Sequence, residues 1–236
     1  MDSGFPSSLV VSAYRTVEEM LGEVLNTVPY GPEHENVWSP RLTTVLLEAC
    51  SQLDSLWRAR SHQATSLSIK DYFDHFGPDV ADRWLVFWGE PALRLQPFSA
   101  WARIAERERA DYQALDWWKA YNALKHDRLK YRKDATLRNA VHALAGLFVA
   151  IVRSPECAAA IAHDGWIPSP GQLGIPAEDL LADESPVQGI VVETRLISYG
   201  VQLGWNPGPA RHRGLSVRSG SYRFQSWCAE HGLAHW

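Results

Sequence analysis

The stretch that decides the fold is Ala135-Thr136-Leu137-Arg138-Asn139-Ala140-Val141-His142-Ala143-Leu144-Ala145-Gly146-Leu147-Phe148-Val149-Ala150-Ile151-Val152-Arg153. Leu137, Val141, Leu144, Ala145, Phe148, Val149 and Val152 recur at the spacings of one helical face. The face is broad and apolar enough to make this helix the central packing element of the chain. Its longest apolar run, Ala140 to Val152, is 13 residues broken by His142 and Gly146. A membrane span needs roughly 20, so the run predicts a buried core helix.

Working outward, Leu9, Val10, Ala13, Tyr14, Val17, Met20, Leu21, Val24, Leu25 and Val28 also repeat at three and four, until Pro29 and Gly31-Pro32 stop the helix. Ser39-Pro40 reads as an N-cap with proline in the first turn. Leu42, Val45, Leu46, Ala49, Leu53, Leu56 and Trp57 then carry a helical stripe to about His62. A short helix is expected from Ile69 to Phe76, ended by Gly77-Pro78. Trp84 to Phe98, interrupted by Gly89-Glu90-Pro91 and Pro97, fits a hairpin or an irregular excursion. Helical pattern returns from about Ala110 to Lys130. The fold class is therefore mainly α: a helical bundle with an irregular or hairpin excursion and a small, partly irregular C-terminal extension.

From Ser154 the composition shifts to Gly, Pro and Ser, which places a boundary near residue 164: a bundle over 1–163 and an extension over 164–236 packed on it. Within the extension, Ile190 to Ile197 is β-branched and reads as a strand, with a helix over Val187 to Tyr199 as the alternative. Gly204 to Ser221 reads as loop, and Tyr222 to Trp236 holds enough aromatics to dock back.

The 236 residues are 46% hydrophobic and carry a formal charge of −4, which bounds the chain as globular without a global nucleic-acid signature. Three scattered cysteines, Cys50, Cys157 and Cys228, lack metal-ligand spacing and read as small buried apolar groups. No basic flank precedes an apolar run at the N-terminus, so a cytoplasmic location is expected, with no membrane contact. Charge is unevenly spread. Lys119, Lys125, Arg128, Lys130, Arg132, Lys133 and Arg138 face only Asp127 and Asp134 in the same segment, and Arg195, Arg211, Arg213, Arg218 and Arg223 lie in a stretch without acids. Such zones either supply a positive surface for a phosphate backbone or are solvated charge.

Chemistry concentrates in Trp117-Trp118-Lys119-Ala120-Tyr121-Asn122-Ala123-Leu124-Lys125-His126-Asp127-Arg128. On a helix, Lys119, Asn122 and His126 share one side and Trp117, Tyr121 and Leu124 another. An imidazole that titrates near neutrality, a fixed amide and cationic groups suit reactions at phosphate, so His126, Asn122, Lys125 and Lys119 are the catalytic candidates. Arg128, Lys130, Arg132, Lys133 and Arg138 are the RNA-binding candidates. The alternative is a solvated helix face with an aromatic scaffold beneath it. No carboxylate pair, metal cluster, glycine-rich phosphate loop or nucleophile elbow is present in the pattern, so neither a metal nor a cofactor is expected.

The pattern Trp117-Trp118-x-x-Tyr121-Asn122-x-x-Lys125-His126-Asp127-Arg128, followed by Ala135-Thr136-Leu137-x-Asn139-Ala140-x-x-Ala143-Leu144-Ala145-Gly146-Leu147-Phe148, resembles bacterial proteins of the HEPN-like superfamily over roughly Trp117 to Ile151. The resemblance implies a helical bundle, a homodimer, and a place in defence or toxin–antitoxin systems with RNA and an antitoxin or defence-operon partner. It also implies metal-independent endoribonuclease chemistry, in which His126 would move a proton at a ribose 2′-hydroxyl or a leaving oxygen. The superfamily motif carries an arginine where this chain has Tyr121, so either Lys119, Lys125 or Arg128 substitutes or the site does not cleave. Two other readings remain: a non-catalytic interaction module built around this polar segment, and a small-molecule site under the aromatic excursion from Trp84 to Trp101.

Overall fold

A computed structural model describes residues 5–61, 67–102, 112–167, 190–201 and 222–232. Among these, eight helices surround or flank one small antiparallel sheet, a mainly α architecture. Helices α1 (Ser7–Leu25), α2 (Pro40–Ser61), α5 (Asp116–His126) and α6 (Leu137–Val152) form the bundle. The others are α3 (Ile69–Val80) and the short α4 (Ser99–Ala102), α7 (Ala158–His163) and α8 (Tyr222–Glu230).

As its apolar pattern requires, α6 is the hub and packs against α1, α2 and α5. Every residue from Ala143 to Val152 is buried. Its start is tied down locally. The Thr136 hydroxyl accepts from the Asn139 N–H at 3.2 Å, and the Leu137 and Arg138 N–H groups donate to the carbonyls of Val37 and Glu35 at 2.8 and 3.0 Å. These bonds satisfy N–H groups that a helix leaves unpaired at its first turn. At α2, the Ser39 hydroxyl accepts from the Leu42 N–H at 3.2 Å, the cap read from the sequence.

Two helices depart from expectation. Helix α3 does not stop at Gly77-Pro78 but runs on to Val80, because Phe76 and Val80 are buried and the Ala81 N–H still reaches the Gly77 carbonyl at 3.0 Å. Packing of those side chains outweighs the lost proline donor. Helix α5 is shorter than the pattern suggested, spanning Asp116–His126, while residues 103–111 lie outside the described part.

The excursion after α3 is a hairpin, β1 (Leu85–Phe87) with β2 (Leu93–Leu95). Residues 190–201 form strands, not the alternative helix: β3 (Ile190–Glu193) and β4 (Ile197–Val201) make a second hairpin. Strand β4 pairs with β1 through Val86↔Ser198 and Phe87↔Ile197, so the order is β2-β1-β4-β3. Strand alternation then divides the side chains. Leu85, Phe87, Val192, Ile197 and Tyr199 join the helical core, while Trp84, Val86, Trp88 and Val191 pack with Phe224, Trp227 and Cys228 of α8 on the far side. The C-terminal aromatics therefore dock on the sheet. The loop expected over Gly204 to Ser221 and the turns over 168–176 lie outside the described residues. All three cysteines are buried and free, and no single helix is long and apolar enough to cross a membrane.

Two glycines make opposite predictions. A Cβ on Gly146 of α6 would lie 3.1 Å from the Trp117 ring, whose N–H is held by the Pro97 carbonyl at 2.8 Å. Gly146→Ala is expected to lower stability by about 1–2 kcal/mol through overpacking. A Cβ on Gly22 of α1 meets the Arg195 guanidinium at 3.4 Å. There, Gly22→Ala is expected to raise stability by about 0.5 kcal/mol through helix propensity. Urea unfolding of both variants checks the sign.

Candidate nucleic-acid interface

Helix α5 divides along the lines its spacing predicted. Trp117, Trp118, Ala120, Tyr121 and Leu124 are buried, while Lys119, Asn122, Lys125 and His126 are exposed. The aromatic half is scaffold: Trp118 is 5.1 Å from the Tyr121 ring and 6.4 Å from Tyr72, and Trp117 meets Phe98 edge-on at 5.6 Å. The helix ends at His126 because Asp127 is extended. The Asp127 carboxylate instead accepts the Lys130 N–H at 3.0 Å, closing a turn that projects Arg128 and Lys130 outward.

Around this end of α5 the predicted cations gather. Arg128, Lys130, Arg132 and Lys133 are all exposed, and none is ion-paired with an acid among the described residues. Arg132 donates to the Leu129 carbonyl at 2.7 Å, and the Lys130 ammonium lies 4.9 Å over the Tyr131 ring. Lys125 lies 5.5 Å over the Tyr121 ring and hydrogen-bonds its hydroxyl. The side chains of His126 and Asn122 are exposed and make no hydrogen bond among the described residues.

Two candidates are placed apart. Lys119 pairs with Asp116 at 3.1 Å on an exposed face. Arg138 belongs to a different neighbourhood because α6 crosses α5 at that helix's N-terminal end. There Arg138 approaches Glu35 at 3.6 Å and lines a pocket of about 100 Å³ with Asp116, Trp117, Asn139 and His142. Burial, and then the positive charge of Arg138, push the His142 imidazole down to about 4, so it is neutral at pH 7.

One group near Tyr121 escapes a reading confined to a single helix. Asp54 of α2 accepts from the Tyr72 hydroxyl at 2.6 Å and from the Arg58 guanidinium at 2.8 Å. Burial first, then the bond to Asp54, raise the Tyr72 hydroxyl. Arg58 interacts electrostatically with both Tyr72 and Tyr121 and is half exposed. The available signal was the Asp54/Arg58 i, i+4 pair, which alone reads as an ordinary surface bridge. Among the described residues, no three of His, Cys, Asp and Glu converge to hold a metal ion.

Comparison with protein-family profiles, curated proteins and solved structures found no match.

Proposed function

We propose that this is an HEPN-like RNA-binding protein of bacterial defence or stress response, and that RNA docks on the C-terminal end of α5 and the turn that follows. The observation that carries the reading is the exposed run of Lys125, Arg128, Lys130, Arg132 and Lys133 on a protein of net charge −4. A surface of this kind neutralises phosphates and releases counterions. His126 and Asn122, exposed one turn apart beside Lys125, are the groups that would meet a ribose or phosphate at the centre of that surface.

Cleavage is the finer part of the proposal. It needs a permanent cation next to His126, and Tyr121 is core packing with 5% exposure. Lys125 and Arg58 both interact electrostatically with Tyr121 and take the arginine's place in this reading. Acting without metal, His126 would take the 2′-hydroxyl proton as the 2′-oxygen attacks the adjacent phosphorus and the bond to the next nucleotide's 5′-oxygen breaks, leaving a 2′,3′-cyclic phosphate and, once that oxygen is protonated, a 5′-hydroxyl end.

Fluorescence anisotropy with a labelled single-stranded RNA tests binding. Reversing Lys125, Arg128 and Lys130 to glutamate is expected to weaken affinity about 30-fold and to flatten the salt dependence by roughly two units of slope. Unchanged affinity would remove this surface from consideration. Incubation in chelator, followed by end-group analysis, tests cleavage: wild type is expected to produce cyclic-phosphate ends and His126→Ala none, with melting temperature unchanged because the side chain is exposed.

A further inference from the structure

A second site lies away from the basic surface, between α1, the β1–β2 hairpin and the turn joining β3 to β4. Its construction starts with Glu18, which is 5% exposed in the middle of α1. The Glu18 carboxylate accepts from the Thr194 hydroxyl at 2.5 Å, the Leu196 N–H at 2.9 Å and the Tyr14 hydroxyl at 3.3 Å. One buried carboxylate thus holds the Thr194-Arg195-Leu196 turn against the helix. The turn presents Arg195, whose guanidinium atoms lie 3.4–3.7 Å from the position of a Cβ on Gly22. A Cβ there would sit in ordinary van der Waals contact with the guanidinium. Among the described residues Arg195 has no ion-pair partner.

Arg195 borders a cleft of about 320 Å³ whose other lining includes Asn26, Tyr30, Trp88 and Glu90. The walls are stiff. The Trp88 indole N–H donates to the Ser198 hydroxyl at 2.6 Å, its backbone N–H to the Leu196 carbonyl at 2.7 Å, and Tyr30 meets Phe87 edge-on at 5.2 Å. This size falls in the range of small-molecule pockets, which combine apolar walls with a few placed polar groups. An RNA backbone is a poor fit because Glu90 would repel a second phosphate.

We infer that this cleft binds a small zwitterion of the amino-acid type, its carboxylate on Arg195, its ammonium on Glu90 and its apolar side chain against the half-buried Leu25 and Pro29. The planar guanidinium offers the paired donors that a carboxylate takes. Glu90 and Asn26 discriminate against a simple anion by requiring a donor at the other end. The site is independent of the RNA-binding reading.

Calorimetric titration of the full chain with the standard L-amino acids, followed by L-phenylalanine against its amide and its N-acetyl derivative, tests the assignment. Saturable binding of an apolar or aromatic amino acid is expected, with loss of either charge weakening it about tenfold or more. Arg195→Gln and Glu90→Gln, both at exposed positions, are expected to weaken it by a similar factor and to leave the melting temperature unchanged. If Arg195→Gln proves unstable, Glu90→Gln carries the test, with the shift of the Trp88 indole N–H resonance on titration as a second readout. Absence of saturable binding across the set would overturn the inference, as would an amide or N-acetyl derivative that binds as tightly as L-phenylalanine itself, or undiminished affinity in the charge variants.

Discussion

Glu18→Ala is expected to cost about 3 kcal/mol, since removing a buried acceptor leaves each donor it served unsatisfied at roughly 1–3 kcal/mol, offset by relief of the carboxylate's own desolvation. The donors are the Thr194 and Tyr14 hydroxyls and the Leu196 N–H, all on or facing the β3–β4 turn. The loss should therefore be concentrated there, with faster amide exchange at Leu196 and a turn that no longer fixes Arg195. Urea unfolding with exchange measurements checks both parts. A loss under about 0.5 kcal/mol, the ordinary scatter of surface substitutions, would show that the clamp contributes nothing. The same residue has a pH signature. Burial, only partly opposed by its hydrogen bonds, raises the Glu18 carboxyl above its ordinary value of 4.5. The folded state then keeps the proton to higher pH than the unfolded chain, so this stabilisation is complete below about 4.5 and is lost as pH rises through the raised folded value.

Acidification from pH 7 to pH 4 is expected to remove up to about 3 kcal/mol through His142, the fall from an ordinary 6.5 to about 4 taken at 1.36 kcal/mol per unit. Solvent reaching the partly exposed ring brings this nearer to 2 kcal/mol. Here the folded pKa is depressed: the stabilisation is present above 6.5 and is lost as pH falls through about 4. Glu18 acts in the opposite direction over an overlapping range, so the net profile is flatter than either contribution. Comparing His142→Gln with wild type by urea unfolding at several pH values isolates the histidine. The stability difference between the two should shrink as pH drops from 7 towards 4. A difference independent of pH would mean that His142 titrates normally.

The polar and aromatic halves of α5 were legible from spacing because a helix converts sequence position directly into direction. Trp117, Tyr121 and Leu124 are buried and Asn122 and His126 exposed by that rule alone. The same rule failed for Arg138. In the chain it continues the basic run from Lys119, but α6 carries it to Glu35, Asp116 and His142. Neighbourhood along a loop does not survive a change of helix axis.

Arg58 and Arg195 were hidden for a related reason. Each is an unremarkable cation until a distant element is placed beside it: Tyr121 for Arg58, and Gly22 with Glu18 for Arg195. The cleft at Arg195 does border the aromatic excursion that offers a small-molecule site as one alternative reading of the sequence, through Trp88, Gly89 and Glu90. Its cation, Arg195, comes from more than a hundred residues further along the chain, across the pairing of β1 with β4.

The helices of the bundle, the hub role of α6 and the two faces of α5 follow from apolar period and local capping, which act within a few residues and are written along the chain. That residues 190–201 complete the sheet begun at Leu85, that Glu18 anchors their turn, and which arginines stand beside which cavities emerge from the packing of distant elements. Those outcomes depend on strand pairing and on burial of a carboxylate with donors contributed by a separate element, and neither leaves a periodic trace in the chain.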